Sequence, residues 1–164
     1  TLSKGHDYIT VKEERTHIES YLEIQQFRYQ DILDYEIQMD EEIYGYIIPK
    51  LTLQPLVENA LYHGIKNKRG KGKILITGKK QGDKIIFQVI DNGKGMTEEE
   101  LNSLRKKMAG TDTGDEAKGF GVSNVNQRIK YYYGEEYGVF FESKENEGTN
   151  ATIIIAAKNI QLPS

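Results

Sequence analysis

Apolar positions recur along this chain with two different periods, and the places where the period changes mark its elements. After Thr10, the residues Ile18, Tyr21, Leu22 and Gln25 return at helical spacing, and Thr10 with Glu13 makes a capping box. This pattern predicts a helix that fades by Arg28 to Asp31, with its glutamates turned to solvent. Tyr35 to Asp40 alternates instead, as a strand with one wet face does, and reads as an edge strand. Pro49 leads into a second helical pattern, Leu51 to Gly64, in which Leu53, Leu56, Val57, Ala60 and Leu61 form one apolar side. Pro55 suits its first turn, where no N–H is needed, and Gly64 is the expected C-cap.

Lys66 to Gly72 reads as a flexible basic loop. Lys73 to Lys79 and Lys84 to Ile90 then form a hairpin turned by Gln81-Gly82-Asp83. Thr97 opens a helix with Glu98, Glu99 and Glu100 in its first turn, where negative charge is favourable, and the pattern runs to about Met108. Ala109 to Lys118 has no periodicity and is expected to be mobile. Gly119-Phe120-Gly121 enters a helix over Val122 to Tyr133, and two strands, Tyr137 to Glu142 and Thr149 to Ala156, close the chain around Asn146-Glu147-Gly148. This order predicts an α/β (α+β) two-layer sandwich, a mixed β-sheet with helices packed on one face and a ligand pocket at the seam. No internal repeat or clean boundary divides residues 1–164, so a single domain is expected, with 1–30 a helical lead-in.

Composition narrows the function classes. Apolar residues make up 37% and charged residues 29%, which suits a soluble domain with a highly charged surface. No stretch approaches the roughly 18 apolar residues of a membrane helix. There is no cysteine, which excludes disulfides, thiolate metal sites and a thiol nucleophile. The net charge of −3 argues against a general nucleic-acid binder, and the basic runs Lys66 to Lys73 and Lys79-Lys80 have no nucleic-acid-binding signature around them. The three histidines, His6, His17 and His63, are scattered without metal-binding spacing.

The candidate chemistry sits at three places. Ile85 to Ile90 is an apolar strand that delivers Asp91 onto a turn bracketed by Gly93 and Gly95. Asp91 admits two readings: a carboxylate that accepts a hydrogen bond from an exocyclic amine, as in adenine recognition, or a solvated Asp-Asn-Gly turn. The second glycine and the helix behind it favour the first. Asn59 falls in the middle of an apolar helix, a poor place for asparagine unless its side chain is used. It is either a magnesium ligand, which would share its ion with phosphate and water, or a hydrogen-bonded core residue. Glu58 projects about 100° away from it around the helix. His63, four residues on, either touches phosphate or caps the helix. Gly119-x-Gly121 before a helix offers free N–H groups to an anion, or is a plain helix entry.

Together these stretches resemble the ATP-binding catalytic domain of a bacterial sensor histidine kinase of the LytS/YesM-like group, within the ATPase superfamily of gyrase, Hsp90 and MutL. Leu53-Gln54-Pro55-Leu56-Val57-Glu58-Asn59-Ala60 with His63-Gly64 matches the group's N box. Asp91 to Met96 matches the G1 box, and Gly119-Phe120-Gly121-Val122-Ser123-Asn124-Val125 with Arg128-Ile129 the G2 box. Gly148-Thr149 and the upstream Tyr21 to Tyr29 also fit, so the likeness covers essentially the whole chain. It implies a Bergerat-type ATP-binding fold with ATP and Mg²⁺ beneath a lid over roughly Thr97 to Lys118. By resemblance Asp91 binds the adenine amine, Gly93, Gly95 and Met96 shape the base pocket, and Thr149 supports it. Asn59 holds Mg²⁺, with Glu58 and His63 counted beside it as catalytic candidates. Gly119, Phe120, Gly121 and Val122 line the phosphates.

The implied activity is transfer of the γ-phosphoryl group to a histidine on the kinase's own dimerisation segment, for relay to a response regulator. Catalysis of that kind is mostly positioning and charge neutralisation. The intact protein is then expected at the cell membrane as a homodimer, with this domain on the cytoplasmic side. The group's acceptor motif, Asn-Pro-His-Phe, is absent from these residues, and the chain opens Thr1-Leu2-Ser3. A fragment of a longer kinase, unable to phosphorylate itself alone, is therefore expected. Pro55 stands where many histidine kinases carry a second polar metal ligand and where gyrase-like enzymes need a glutamate base, which argues against fast hydrolysis. The alternatives are a serine kinase of the anti-sigma-factor type and a catalytically silent interaction module with the same pocket.

Overall fold

The computed structural model describes residues 7–30, 32–65, 70–110 and 120–160. A short strand β1 (Tyr8–Thr10) runs straight into α1 (Val11–Arg28), and Thr10 caps the helix as its sequence predicts. The Glu13 N–H donates to Thr10 Oγ1 at 3.1 Å while Glu13 Oε1 accepts from the Thr10 N–H at 2.9 Å. Val11, Glu14, Ile18, Leu22 and Gln25 are buried along one face. Glu14 corrects the expectation that the glutamates of this helix are solvated, since its side chain is fully enclosed. β1 pairs antiparallel with β3 (Ile47–Pro49), a two-stranded clasp that three-residue segments were too short to announce by periodicity.

The main sheet has five strands, β2 (Leu33–Met39), β4 (Gly72–Gln81), β5 (Lys84–Asp91), β6 (Gly138–Lys144) and β7 (Gly148–Ala156), in the order β2-β4-β5-β7-β6. β2 lies parallel to β4 and every other pair is antiparallel, so the sheet is mixed and β2 is the edge strand its wet face predicted. The β4–β5 hairpin turns through Gly82-Asp83, with Gly82 at a φ of +63°. One sheet face, from Ile74, Ile76, Ile85, Phe87, Val89, Ile153 and Ile155, is buried, while Leu75, Thr77, Gln88 and Thr152 on the other are half-exposed. The helices α2 (Gln54–Asn59), α3 (Glu98–Met108) and α4 (Phe120–Tyr133) contribute Leu56, Val57, Leu101, Met108, Val125 and Ile129 to that same core.

Two boundaries differ from expectation. The second helix does not stop at a glycine cap: α2 widens into a π-helical turn over Ala60–Ile65 and carries Gly64 inside it. Gly64 has no positive φ, so it serves close approach rather than capping. α4 begins at Phe120, which places Gly121 within its first turn. Lys66 to Arg69 and residues 111–119, which hold most of the two segments expected to be flexible, lie outside the described residues.

Candidate functional site

The floor of the site is built where β5 ends. Asp91 pairs in register with Ile74 on β4 and with Thr149 on β7, and it is only 6% exposed. Its Oδ1 accepts the Gly93 N–H at 2.8 Å, which closes the turn and fixes the carboxylate. Glycines surround it because nothing larger fits. A Cβ on Gly64 would stand 2.6 Å from Asp91 Oδ1, and one on Gly93 would stand 2.3 Å from the Gly64 carbonyl carbon. Gly148, at a φ of +125°, passes so close to the Asp91 carbonyl that a Cβ there would meet its oxygen at 2.0 Å. The Gly95 turn is tied to the β6–β7 end by Ser143, whose Oγ accepts the Met96 N–H at 2.8 Å, donates to the Gly148 carbonyl at 3.0 Å and lies 2.8 Å from Thr149 Oγ1. Backbone bonds from Lys94 N–H to the Gly64 carbonyl and from Asn146 N–H to the Lys94 carbonyl hold the same turn to the helix and to the sheet.

Above this floor opens a cavity of about 660 Å³, lined on one side by Asn59, His63 and Gly64 and on the other by α3. α3 faces it with Glu99, Glu100, Ser103, Leu104 and Lys107, residues spaced three and four apart on one helical face. The helix is secured at both ends. Thr97 and Glu100 form a reciprocal capping box, and these bonds from Thr97 hold the Glu100 carboxyl below its usual range. At the other end, buried Asn126 of α4 donates to the Met108 carbonyl at 3.1 Å and accepts the Val139 N–H of β6 at 2.8 Å, while the Ser123 hydroxyl donates to the Lys107 carbonyl.

The structure brings together Asn59, His63, Asp91, Gly95, Met96 and Thr149 as cavity lining. Gly93 lies buried behind Asp91. Glu58 is not part of the lining: it turns toward Tyr21 of α1, whose hydroxyl is pushed up to about 12 by burial and then by the Glu58 charge. Val122 is buried in the core, and Gly121 faces Pro55 of α2, which a Cβ would approach to 3.3 Å. Phe120 contributes its backbone to the start of α4, and Gly119 lies outside the described residues. Sequence reasoning gave no role to Lys94 or Ser143 and, although it set a lid over Thr97 to Lys118, named no side chain of α3; the spacing of Glu99, Ser103 and Lys107 on that helix was a usable signal.

The donor set suits a purine nucleotide and a hard divalent ion. A fixed carboxylate and a hydroxyl stand in a glycine-walled recess, and Lys94, Lys107 and His63 can face phosphate from the rim. Among the described residues no cluster of three acidic, histidine or cysteine side chains could hold a metal by itself. An ion at Asn59 would need phosphate oxygens and water, which is how magnesium is usually held.

The family described as histidine kinase-, DNA gyrase B- and HSP90-like ATPase matches residues 49–159. The sensor histidine kinase YesM of Bacillus subtilis is 35% identical over 153 residues, and the sensor protein LytS of Staphylococcus saprophyticus is 29% identical over 153 residues. Each alignment takes in 93% of this chain and 25% of the relative, so the chain spans about a quarter of their length. Among solved structures, the catalytic domain of histidine kinase ThkA superposes with a TM-score of 0.67 at 19% identity, covering 93% of this chain and 97% of that one. ThkA in complex with the response regulator protein TrrA matches at 0.65 and 20% identity, over 92% of this chain and 41% of that one. Among the described residues no helix is long and apolar enough to cross a membrane.

Proposed function

We propose, from the premise that this chain belongs to the histidine kinase-, DNA gyrase B- and HSP90-like ATPase family and is an ATP-binding catalytic domain related to LytS/YesM-type sensor kinases, that its cavity binds Mg-ATP with the base on Asp91 and the phosphates toward Asn59. The observation that carries this reading is the carboxylate of Asp91, buried, held by the Gly93 N–H and walled by Gly64, Gly93 and Gly148. An acceptor-only group in that recess suits a base that presents an amine and rejects one that presents a carbonyl. Thr149, steadied by Ser143, supports the same end.

At the other end Asn59 offers an amide oxygen to magnesium, which neutralises phosphate charge when bound. His63, Lys94 and Lys107 add positive charge or donors around the phosphates. Glu58 serves the helix and its packing on α1, with no direct part in transfer. The backbone of Phe120 and Gly121, in the first described turn of α4, is assigned to the phosphate end by the family likeness alone. In the whole protein the γ-phosphoryl group passes to a histidine outside these residues and then to a response regulator, as part of a dimeric membrane sensor. The chain's own work is to bind, orient and shield the nucleotide.

Titration calorimetry with ATP and GTP, each with and without Mg²⁺, tests the reading. Adenine-selective binding that Mg²⁺ tightens and that Asp91→Asn weakens by about 10-fold or more is the expected outcome. Folded protein that gives no heat with millimolar ATP would reject it and leave an interaction module.

A further inference from the structure

The first turn of α2 has no side-chain cap of its own, yet its amides are fully accounted for. Pro55 has no N–H to satisfy, and the Leu56 and Val57 N–H groups reach back to the Leu53 carbonyl. The remaining two, on Leu53 and Gln54, donate to Glu14 Oε2 at 2.9 and 3.3 Å. Glu14 belongs to α1, about forty residues earlier in the chain, and its side chain is fully enclosed. Its other oxygen, Oε1, has no hydrogen-bond partner among the described residues, and no salt bridge between described residues includes it. An enclosed carboxylate without a salt-bridge partner is costly, and the two helix-end amides favour its charged form against the effect of burial.

Helix α2 and its π-helical extension form one run from Gln54 to Ile65, seated in the core by Leu56, Val57, Ala60, Leu61 and Ile65 and tied to other elements at both ends. Its far end is locked where Gly64 meets Asp91 and where the Lys94 N–H donates to the Gly64 carbonyl. Its near end is held by Glu14 and, in the residues just before it, by Arg128 of α4, which donates to the Lys50 and Leu51 carbonyls. Asn59 and His63 lie between these ties and face the cavity. Loss of the Glu14 bonds leaves the Leu53 and Gln54 amides unpaired at that end, so the disturbance falls on the part of the run that carries Asn59, while the contact of Gly64 with Asp91 lies at the other end.

We propose that Glu14 is a positioning residue for the metal and phosphate side of the cavity, through which α1 sets the placement of Asn59 and His63. The inference rests on the Mg-ATP reading above and deepens it: displacement of α1 by whatever precedes it would tune phosphate binding without disturbing base recognition. Its test is the ratio of ATP affinity with Mg²⁺ to affinity without it, measured by calorimetry for the wild type, Glu14→Gln and Glu14→Ala, each shown to be folded by circular dichroism.

The expected result is an unchanged metal-free affinity in both variants, with the Mg²⁺ enhancement cut about 10-fold or more in Glu14→Ala, in the range of lost outer-shell support at metal sites. Glu14→Gln keeps a neutral acceptor and should lose only part of it, about threefold. Where Glu14→Ala does not fold, Glu14→Gln decides alone. A wild-type enhancement in the folded variants overturns the proposal, and so does an equal loss with and without Mg²⁺, the mark of a merely structural role. A wild type that binds no Mg-ATP is a different failure, seen before any variant is made, and it removes the parent reading as well.

Discussion

Gly64 and Asp91 come from elements 27 positions apart by number, yet a single methyl group on the glycine would stand 2.6 Å from the Asp91 carboxylate oxygen. The carboxylate is tethered by the Gly93 N–H and almost wholly buried, so the room left to it lies on the side of the cavity it lines. Gly64→Ala is therefore expected to displace Asp91 from its turn. Overpacking of this kind costs about 1–3 kcal/mol, read as a lower urea midpoint at unchanged slope. In the surviving folded protein, discrimination between ATP and GTP should fall toward unity. A variant as selective as the wild type would show that the contact does not fix the base-recognition group.

Asn126 joins three elements through two bonds, one to the end of α3 and one to the start of β6. Asn126→Ala strands the Val139 N–H and the Met108 carbonyl in the core, at about 1–3 kcal/mol for each buried group left unpaired. Thermal melting should show a large loss. Asn126→Asp restores the acceptor for Val139 but not the donor to Met108, and adds a buried charge, so it should rescue little. Near-wild-type melting of either variant would count against this bridge.

Thr97→Ala removes only the start of α3, an exposed cap, at about 1 kcal/mol. Its main effect should be on the cavity wall carrying Glu99, Ser103 and Lys107, because the far end of that helix stays anchored by Asn126. We expect a nucleotide affinity a few-fold weaker, with base selectivity intact, by the same titration. Altered selectivity with intact affinity would contradict that assignment.

Tyr133 offers a change of the opposite sign. Its ring is 7% exposed, and burial raises the pKa of its hydroxyl, which has no partner among the described residues. Tyr133→Phe removes a desolvated polar atom and keeps the ring, so it should stabilise the fold by about 1 kcal/mol. Chemical denaturation at pH 7 reads this directly, and a destabilised variant would mean that the hydroxyl is satisfied in solution.

Much of this was legible before any coordinates. The capping box at Thr10, the helix start at Thr97, the turn at Gln81-Gly82-Asp83 and the apolar face of Leu53, Leu56, Val57, Ala60 and Leu61 are local signals, and each holds in the structure. The mixed sheet with helices on one face was expected, but its strand order was not, because pairing between strands distant in sequence leaves no local pattern. What escaped were contacts distant in sequence whose meaning depends on the fold. A glutamate on an amphipathic helix looks solvated until α2 arrives to present its amides. A glycine after an apolar helix looks like a cap until β5 brings Asp91 against it. The β1–β3 clasp was hidden for a plainer reason, since three residues carry too little alternation to register.

Glu14 also gives the stability a pH signature. Burial raises its carboxyl above the ordinary value of 4.5, against the lowering by the Leu53, Gln54 and Leu51 amides and the weaker pull of His17. A group whose folded pKa lies above its unfolded one binds more protons when folded. Its contribution is therefore most favourable below the unfolded pKa and is lost as pH rises through the folded value. Glu36 and Glu100, held below their ordinary range by side-chain and capping bonds, run the other way and lose their contributions at acid pH. The total curve mixes these, so the signature must be read as a difference. Urea unfolding of the wild type and Glu14→Gln from pH 4 to pH 8 should show the wild type losing ground against the variant as pH rises, with the drop beginning above 4.5. A difference that is flat with pH would mean that Glu14 titrates alike in the folded and unfolded chains, and that the amides of α2 offset the whole cost of its burial.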